Sequence, residues 1–157
     1  MRLLEEYFYK GLKRLILKRK EAAIDITIRF AGGKKVVAEF NGFAVTTDQP
    51  VKFGGEGSAP SPYEYFLASI GTCAGVYVLG FCEKRNIPTE NIALRQSLLY
   101  RKVEGDKIIL EKILIEVQVP PAFPQEYHEA LIKFIDQCAV KKTIMNPPQF
   151  EIRTVVR

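Results

Sequence analysis

From Tyr65 to Cys82 the chain reads YFLASIGTCAGVYVLGFC, eighteen residues without a charge. That length meets the threshold for a membrane-spanning helix, but the run contains Ser69, Thr72 and three glycines and has no second of its kind. A helix apolar on every side also suits the centre of a protein core. What surrounds the run reads as a strand-rich domain, so it is taken as a central buried helix and no transmembrane segment is expected. Such a helix needs cover on two sides. A chain of 157 residues holds strands for one of them, and Gly71-x-x-x-Gly75 leaves a shallow groove where another helix could approach. A homodimer that buries two such helices against each other is therefore expected.

The flanking sequence supplies the strands. Ile24, Ile26, Ile28 and Phe30 alternate with Asp25, Thr27 and Arg29, the period-two pattern of a half-buried strand. A turn at Ala31–Lys35 leads to a return strand over Val36–Phe40. Asn41-Gly42, the preferred type I′ pair, predicts a third antiparallel strand over Phe43–Thr47. Residues 48–62, DQPVKFGGEGSAPSP, form a loop, with Ser61 placed to cap the central helix and Pro62 at its first position. The helix runs to about Arg85. Two strands follow over 92–102 and 107–119, turned at Glu104-Gly105-Asp106, with Ile113, Ile115, Val117 and Val119 on one face. Pro124 opens a helix carrying Tyr127, Leu131, Phe134 and Ile135. A short segment over Val140–Met145 comes next, and a last strand is predicted from Phe150 to Val156. This is an α+β pattern of mostly antiparallel strands, without the regular alternation of a doubly wound sheet.

The formal net charge of +5 raises the question of a nucleic-acid partner. Position answers it. Residues 1–20 hold seven Lys or Arg and two Asp or Glu, the whole of the excess, and the rest of the chain carries sixteen of each. In that segment Leu4, Phe8, Leu12 and Leu15 form one helical stripe, and Lys10, Lys13, Arg14 and Lys20 fall mostly opposite. Residues 1–21 are read as a basic amphipathic helix added to a domain over 22–157. It packs on the domain or a partner subunit, or lies on an anionic membrane. Neither a basic stripe nor a stacking-aromatic motif accompanies the charge elsewhere, so no nucleic acid is expected. No secretory cleavage pattern is present, and reduced cysteines suit the cytoplasm.

Three cysteines without a Cys-x-x-Cys pair make neither a disulfide scaffold nor a zinc site, and His128, the lone histidine, excludes any site needing two. No metal or cofactor is expected. Cys73 lies in the middle of the apolar helix. Cys82, nine positions later, falls on its opposite side, about 13 Å along the axis, so the two are not expected to pair. Cys138 stands beside a helix start and is followed by Lys141 and Lys142, surroundings that favour a thiolate.

The stretch Gly54–Cys73, GGEGSAPSPYEYFLASIGTC, resembles the signature of the OsmC/Ohr family, the osmotically inducible protein C and organic hydroperoxide resistance proteins. That signature is a Gly-rich loop, Pro-x-Glu-Leu, then a small-residue helix with a cysteine eleven positions after the proline, as Pro62 and Cys73 are here. Cys138-Ala139-Val140-Lys141-Lys142-Thr143 is similar to the family's second motif, Cys-Pro-Val followed by basic or small residues. The resemblance covers roughly residues 22–157. It implies an intertwined homodimer with antiparallel sheets wrapped around two central helices, and active sites at the subunit interface. It further implies that Cys73 attacks an organic hydroperoxide, that Cys138 resolves the resulting sulfenic acid as a disulfide, and that an external dithiol reduces that bond.

Two positions differ from the peroxidase members. Tyr63 stands directly after the motif proline where they carry glutamate, with Glu64 next. Lys52-Phe53 is the local match to their Arg-Phe, and lysine lacks the bidentate fork. Lys52, Tyr63 and Glu64 are thus candidate supports for the thiolate in an OsmC-like subgroup without the Arg–Glu pair. The alternative is a non-catalytic dimer of the same fold that binds an apolar small molecule or acyl lipid at its interface.

Overall fold

The computed structural model describes residues 24–156. The expected helix over 1–21 lies outside the described residues. The chain divides into two compact units, with the boundary between Ala68 and Ser69.

The first unit is a three-stranded antiparallel sheet in the order β1-β2-β3, formed by β1 (Thr27–Phe30), β2 (Val36–Phe40) and β3 (Phe43–Thr47). Both turns follow from their residues. Gly32 and Gly33 take positive φ in the first, and in the second Asn41 at φ 49° and Gly42 at φ 80° give the type I′ geometry that the right-handed twist of a hairpin requires. Phe40 pairs with Phe43 across that turn, and Arg29 on β1 meets Glu39 on β2 at 2.8 Å. The half-buried β1 expected from the alternation is not found. All four of its residues are exposed, Phe30 by 89%. Alternation marks which side chains would face an apolar layer, and β1 has none to cover it among the described residues.

A loop with one 3₁₀ turn at Val51–Phe53 leads into α1 (Pro62–Glu83), which crosses the boundary between the units. By length and composition this helix could cross a membrane. One face is nevertheless inside the protein: Leu67, Ile70, Ala74, Val78, Phe81 and Cys82 are each 7% exposed or less. These positions recur every three or four residues, as on the inner face of a core helix. Burial on every side does not hold for the single chain. Tyr65, Ala68, Thr72, Val76 and Leu79 form an exposed stripe, with Leu79 48% open.

The second unit pairs β4 (Ala93–Lys102) with β5 (Ile108–Gln118) antiparallel, with a register shift at Leu99/Tyr100. The turn uses positive φ at Gly105 and Asp106. Ile113, Ile115, Val117 and Val119 are half-buried on one face, alternating with exposed Leu114, Glu116 and Gln118. A 3₁₀ turn at Gln125–Tyr127 precedes α2 (His128–Ile135), and α3 (Ala139–Met145) follows after a short corner. The core gathers Val78, Phe81 and Cys82 of α1 with Phe123 and with Leu131 of α2, flanked by Leu94 and Val117 of the strands. Phe81 meets Tyr127 and Phe134 edge-on at ring-centroid distances of 5.9 and 5.8 Å.

The strand expected at Phe150–Val156 is absent: residues 150–156 adopt no regular structure, and Ile152 and Val156 are 95% and 97% exposed. A strand exists only where a neighbour completes its hydrogen-bond ladder, and this segment meets no such neighbour among the described residues. The groove at Gly71 is not left for another helix, because Gln96 of β4 fills it; a Cβ at Gly71 would lie 2.8 Å from Gln96 Oε1. His128 is half-buried against Phe123, edge-on at 5.3 Å.

Candidate functional site

Cys73 and Cys138 belong to the second unit, and the fold brings them together. Cys73 projects half-buried from the middle of α1, and Cys138, 2% exposed, is the residue that caps α3. Its backbone, at φ −50° and ψ 125°, is the break between α2 and α3. Its thiol lies within hydrogen-bonding reach of Cys73. Burial pushes the Cys138 thiol above its ordinary range, and the hydrogen bond to Cys73 and the charge of that sulfur push the same way. The N–H groups of Lys141 and Val140, directed at the Cys138 sulfur, oppose the rise. Lys141 approaches the sulfur through its main chain only. Its ammonium is paired with Asp136, so it does not act as the side-chain counterion that the sequence suggested.

Cys82 is fully buried in the core and takes no part in that pair. Burial raises its pKa, countered by the charge of Arg85. Arg85 lies 3.7 Å over the Phe81 ring and donates to the Phe81 carbonyl at 3.2 Å.

The three residues nominated as thiolate supports belong to the first unit and have local partners there. Lys52 Nζ lies 5.0 Å over the ring of its neighbour Phe53. Tyr63 stacks on Phe66 at 6.1 Å. Glu64 completes a capping box at the start of α1: its Oε2 accepts from the Ser61 N–H at 2.6 Å and the Ser61 hydroxyl at 2.7 Å, while Ser61 Oγ accepts from the Glu64 N–H at 3.3 Å. Those bonds hold the Glu64 carboxyl below its ordinary pKa. Arg29, the nearest alternative arginine in sequence, is committed to Glu39.

Sequence reasoning passed over Asp48, which organises the loop before α1. It is fully buried and accepts four hydrogen bonds: from the N–H groups of Ser58 (3.0 Å), Gln49 (2.7 Å) and Glu56 (3.1 Å) and from the Ser58 hydroxyl (2.8 Å). The Ser58 N–H leads the donors that lower its pKa to about 2, against the opposing effect of burial. Gly55 is pressed against this turn, where a Cβ would lie 1.9 Å from the Gln49 carbonyl oxygen. Lys35 ties the first hairpin to the loop through Glu56 at 2.7 Å. The loop forms one wall of an open groove of about 650 Å³ running past Pro50, Ala59, Pro60, Tyr65 and Ala68. Of its polar side chains, Ser58 and Glu64 are spent on Asp48 and Ser61. An aspartate inside a Gly/Pro-rich stretch was the available signal, and that composition marks a loop without indicating what organises it. Among the described residues, no three His, Cys, Asp or Glu side chains converge as a metal site.

Comparison with known proteins agrees with this fold. Among solved structures, a Psychrobacter arcticus protein assigned to osmotic stress induction and detoxification response superposes with a TM-score of 0.64 at 15% identity, covering 78% of this chain and 89% of that one. An OsmC-like protein from Mycoplasma pneumoniae gives 0.61 at 15% identity, over 80% and 89%. An organic hydroperoxide resistance protein from Elizabethkingia anophelis gives 0.53 at 15% identity, also over 80% and 89%. At such identities these similarities speak for the fold alone. No curated protein sequence gives a significant match. The family model described as OsmC-like protein matches residues 55–153, from the Gly-rich loop through both cysteine motifs. With well over half of its residues matched, this chain belongs to the OsmC-like protein family.

Proposed function

We propose that this protein reduces organic hydroperoxides, with Cys73 as the attacking thiol and Cys138 as the resolving one. One observation carries the reading: the fold brings the buried Cys138 thiol within hydrogen-bonding reach of the half-exposed sulfur of Cys73 on the central helix. The names of relatives such as the Elizabethkingia anophelis organic hydroperoxide resistance protein support it at the level of family. In the first step the Cys73 thiolate attacks the terminal peroxide oxygen. The O–O bond breaks, the alkoxide takes a proton and leaves as alcohol, and Cys73 becomes a sulfenic acid. Cys138 then gives up its proton and attacks the sulfenic sulfur. The S–S bond forms, the S–O bond breaks, and hydroxide leaves with the proton as water. An external dithiol supplies two electrons and two protons to restore both thiols. A reducing compartment such as the cytoplasm suits this cycle.

The working unit in this reading is a homodimer. Tyr65, Val76 and Leu79 on α1 and Phe150, Ile152, Val155 and Val156 near the end of the chain are exposed hydrophobic side chains. A second copy would cover the stripe and give the segment strand partners. Cumene hydroperoxide consumption with dithiothreitol as reductant tests the activity. Wild-type protein is expected to turn over and Cys73→Ser to lose activity; equal rates for the two proteins would sink the reading.

The commitment of Glu64 to Ser61 and the apolar lining of the 650 Å³ groove favour a second reading, a dimer that holds an apolar ligand without turnover. Native mass spectrometry of purified protein separates the two. A retained ligand on a peroxide-inert dimer would support the second, and a bare dimer mass would count against it.

A further inference from the structure

Cys138 occupies a corner shared by two helices. Asp136 caps the end of α2 and donates its N–H to the Ile132 carbonyl at 3.0 Å. The Cys138 N–H bonds the Ile135 carbonyl at 2.9 Å, and the Cys138 carbonyl accepts the first helical bond of α3, from Lys142, at 3.0 Å. Across the corner, Lys141 Nζ reaches Asp136 Oδ1, with both side chains about half exposed. This ion pair closes a six-residue ring, residues 136–141, with Cys138 inside it. Lys141 thus ties α3 to the cap of α2 through its side chain, and its N–H faces the Cys138 sulfur.

We propose that Asp136 and Lys141 are positioning residues: their ion pair pins the corner, keeps the Cys138 sulfur against Cys73, and sets the rate at which the disulfide closes. The inference rests on the functional reading above. In the step concerned, Cys138 loses its proton and its sulfur supplies an electron pair to the Cys73 sulfenic sulfur. The S–S bond forms, the S–O bond breaks, and hydroxide leaves with the proton as water. The sign of the effect separates pinning from simple electrostatics. A Lys141 freed from Asp136 would stabilise a Cys138 thiolate and speed closure, whereas a loosened corner slows it.

The test follows two rates after reduced full-length protein is mixed with one equivalent of cumene hydroperoxide. Dimedone trapping in a Cys138→Ser background reads sulfenic acid formation on Cys73. Acid quench, alkylation and mass spectrometry of proteins that retain Cys138 read disulfide closure. Asp136→Asn and Lys141→Met are expected to slow closure about two- to fivefold, the scale an exposed ion pair supports, with sulfenic formation unchanged. Lys141→Arg keeps the pair and should keep the rate. The reversed pair, Asp136→Lys with Lys141→Asp, should recover most of it, because a cation at the end of α2 and an anion in the first turn of α3 both suit their helix ends. Thermal melts establish that each variant is folded. Closure at the wild-type rate or faster in both single variants, or a reversed pair no better than either, would overturn the inference alone. A wild-type protein that forms sulfenic acid but never the Cys73–Cys138 bond would overturn the functional reading together with it.

Discussion

A fully buried aspartate is costly unless its oxygens are met, and Asp48 meets that condition with four donors. Its folded-state pKa, about 2, lies below the ordinary 3.8. The carboxylate therefore adds stability at any pH well above 4, and the contribution fades as pH falls from about 4 toward 2. Urea melts from pH 5 down to pH 2 should show that loss in the wild type, and Asp48→Asn should be less stable at pH 7 and less sensitive over the same range. An unchanged acid slope would assign the stability elsewhere. Gly55→Ala tests the same turn sterically. Its Cβ would meet a backbone carbonyl that cannot swing aside, so we expect a loss of about 2 kcal/mol or more in a urea melt. The Cys138 thiol, raised mainly by burial, should alkylate with a pH midpoint above that of the same cysteine in unfolded protein. A Cys73→Ser/Cys82→Ser background isolates that rate. Of these three residues only Cys138 was legible beforehand, because its motif advertised it. Asp48 and Gly55 act through folded-back main chain, which a linear reading of a glycine-rich loop does not place.

At the scale of elements, the sequence was most informative where local chemistry decides the outcome. Asn41-Gly42 produced its type I′ hairpin, and Ser61 capped α1 as read. The missing half of that cap was Glu64, whose carboxylate serves the helix start; proximity to the motif proline had suggested a role at the thiolate. Ser61→Ala should cost about 1 kcal/mol of stability, measured by thermal or urea denaturation. No change would mean that α1 is set by its packing alone. The two long strands came within a residue or two of their observed limits, since Ile113, Ile115 and Val117 alternate over a buried face. Phe150–Val156 shows the same alternation and forms no strand. The difference is tertiary: β5 has β4 beside it, and the last segment has no strand beside it among the described residues.

For the whole molecule, the exposed stripe on α1 explains why its sequence is apolar all round while one chain buries a single face. If a second copy covers the stripe, Val76→Asp should convert dimer to monomer in size-exclusion chromatography with light scattering. Removing residues 150–156 should weaken the dimer independently. A wild-type monomer at micromolar concentration would contradict that assembly. The basic charge of residues 1–20 lies outside the family match and leaves the domain carrying the cysteines balanced. The redox pairing of Cys73 with Cys138 is open to a single measurement. Reduced protein is given one equivalent of cumene hydroperoxide, quenched, and its thiols are mapped by mass spectrometry. The account predicts a Cys73–Cys138 disulfide close to one per chain with Cys82 still a free thiol. Both thiols remaining reduced while peroxide persists, or oxidation settling on Cys82, would contradict it.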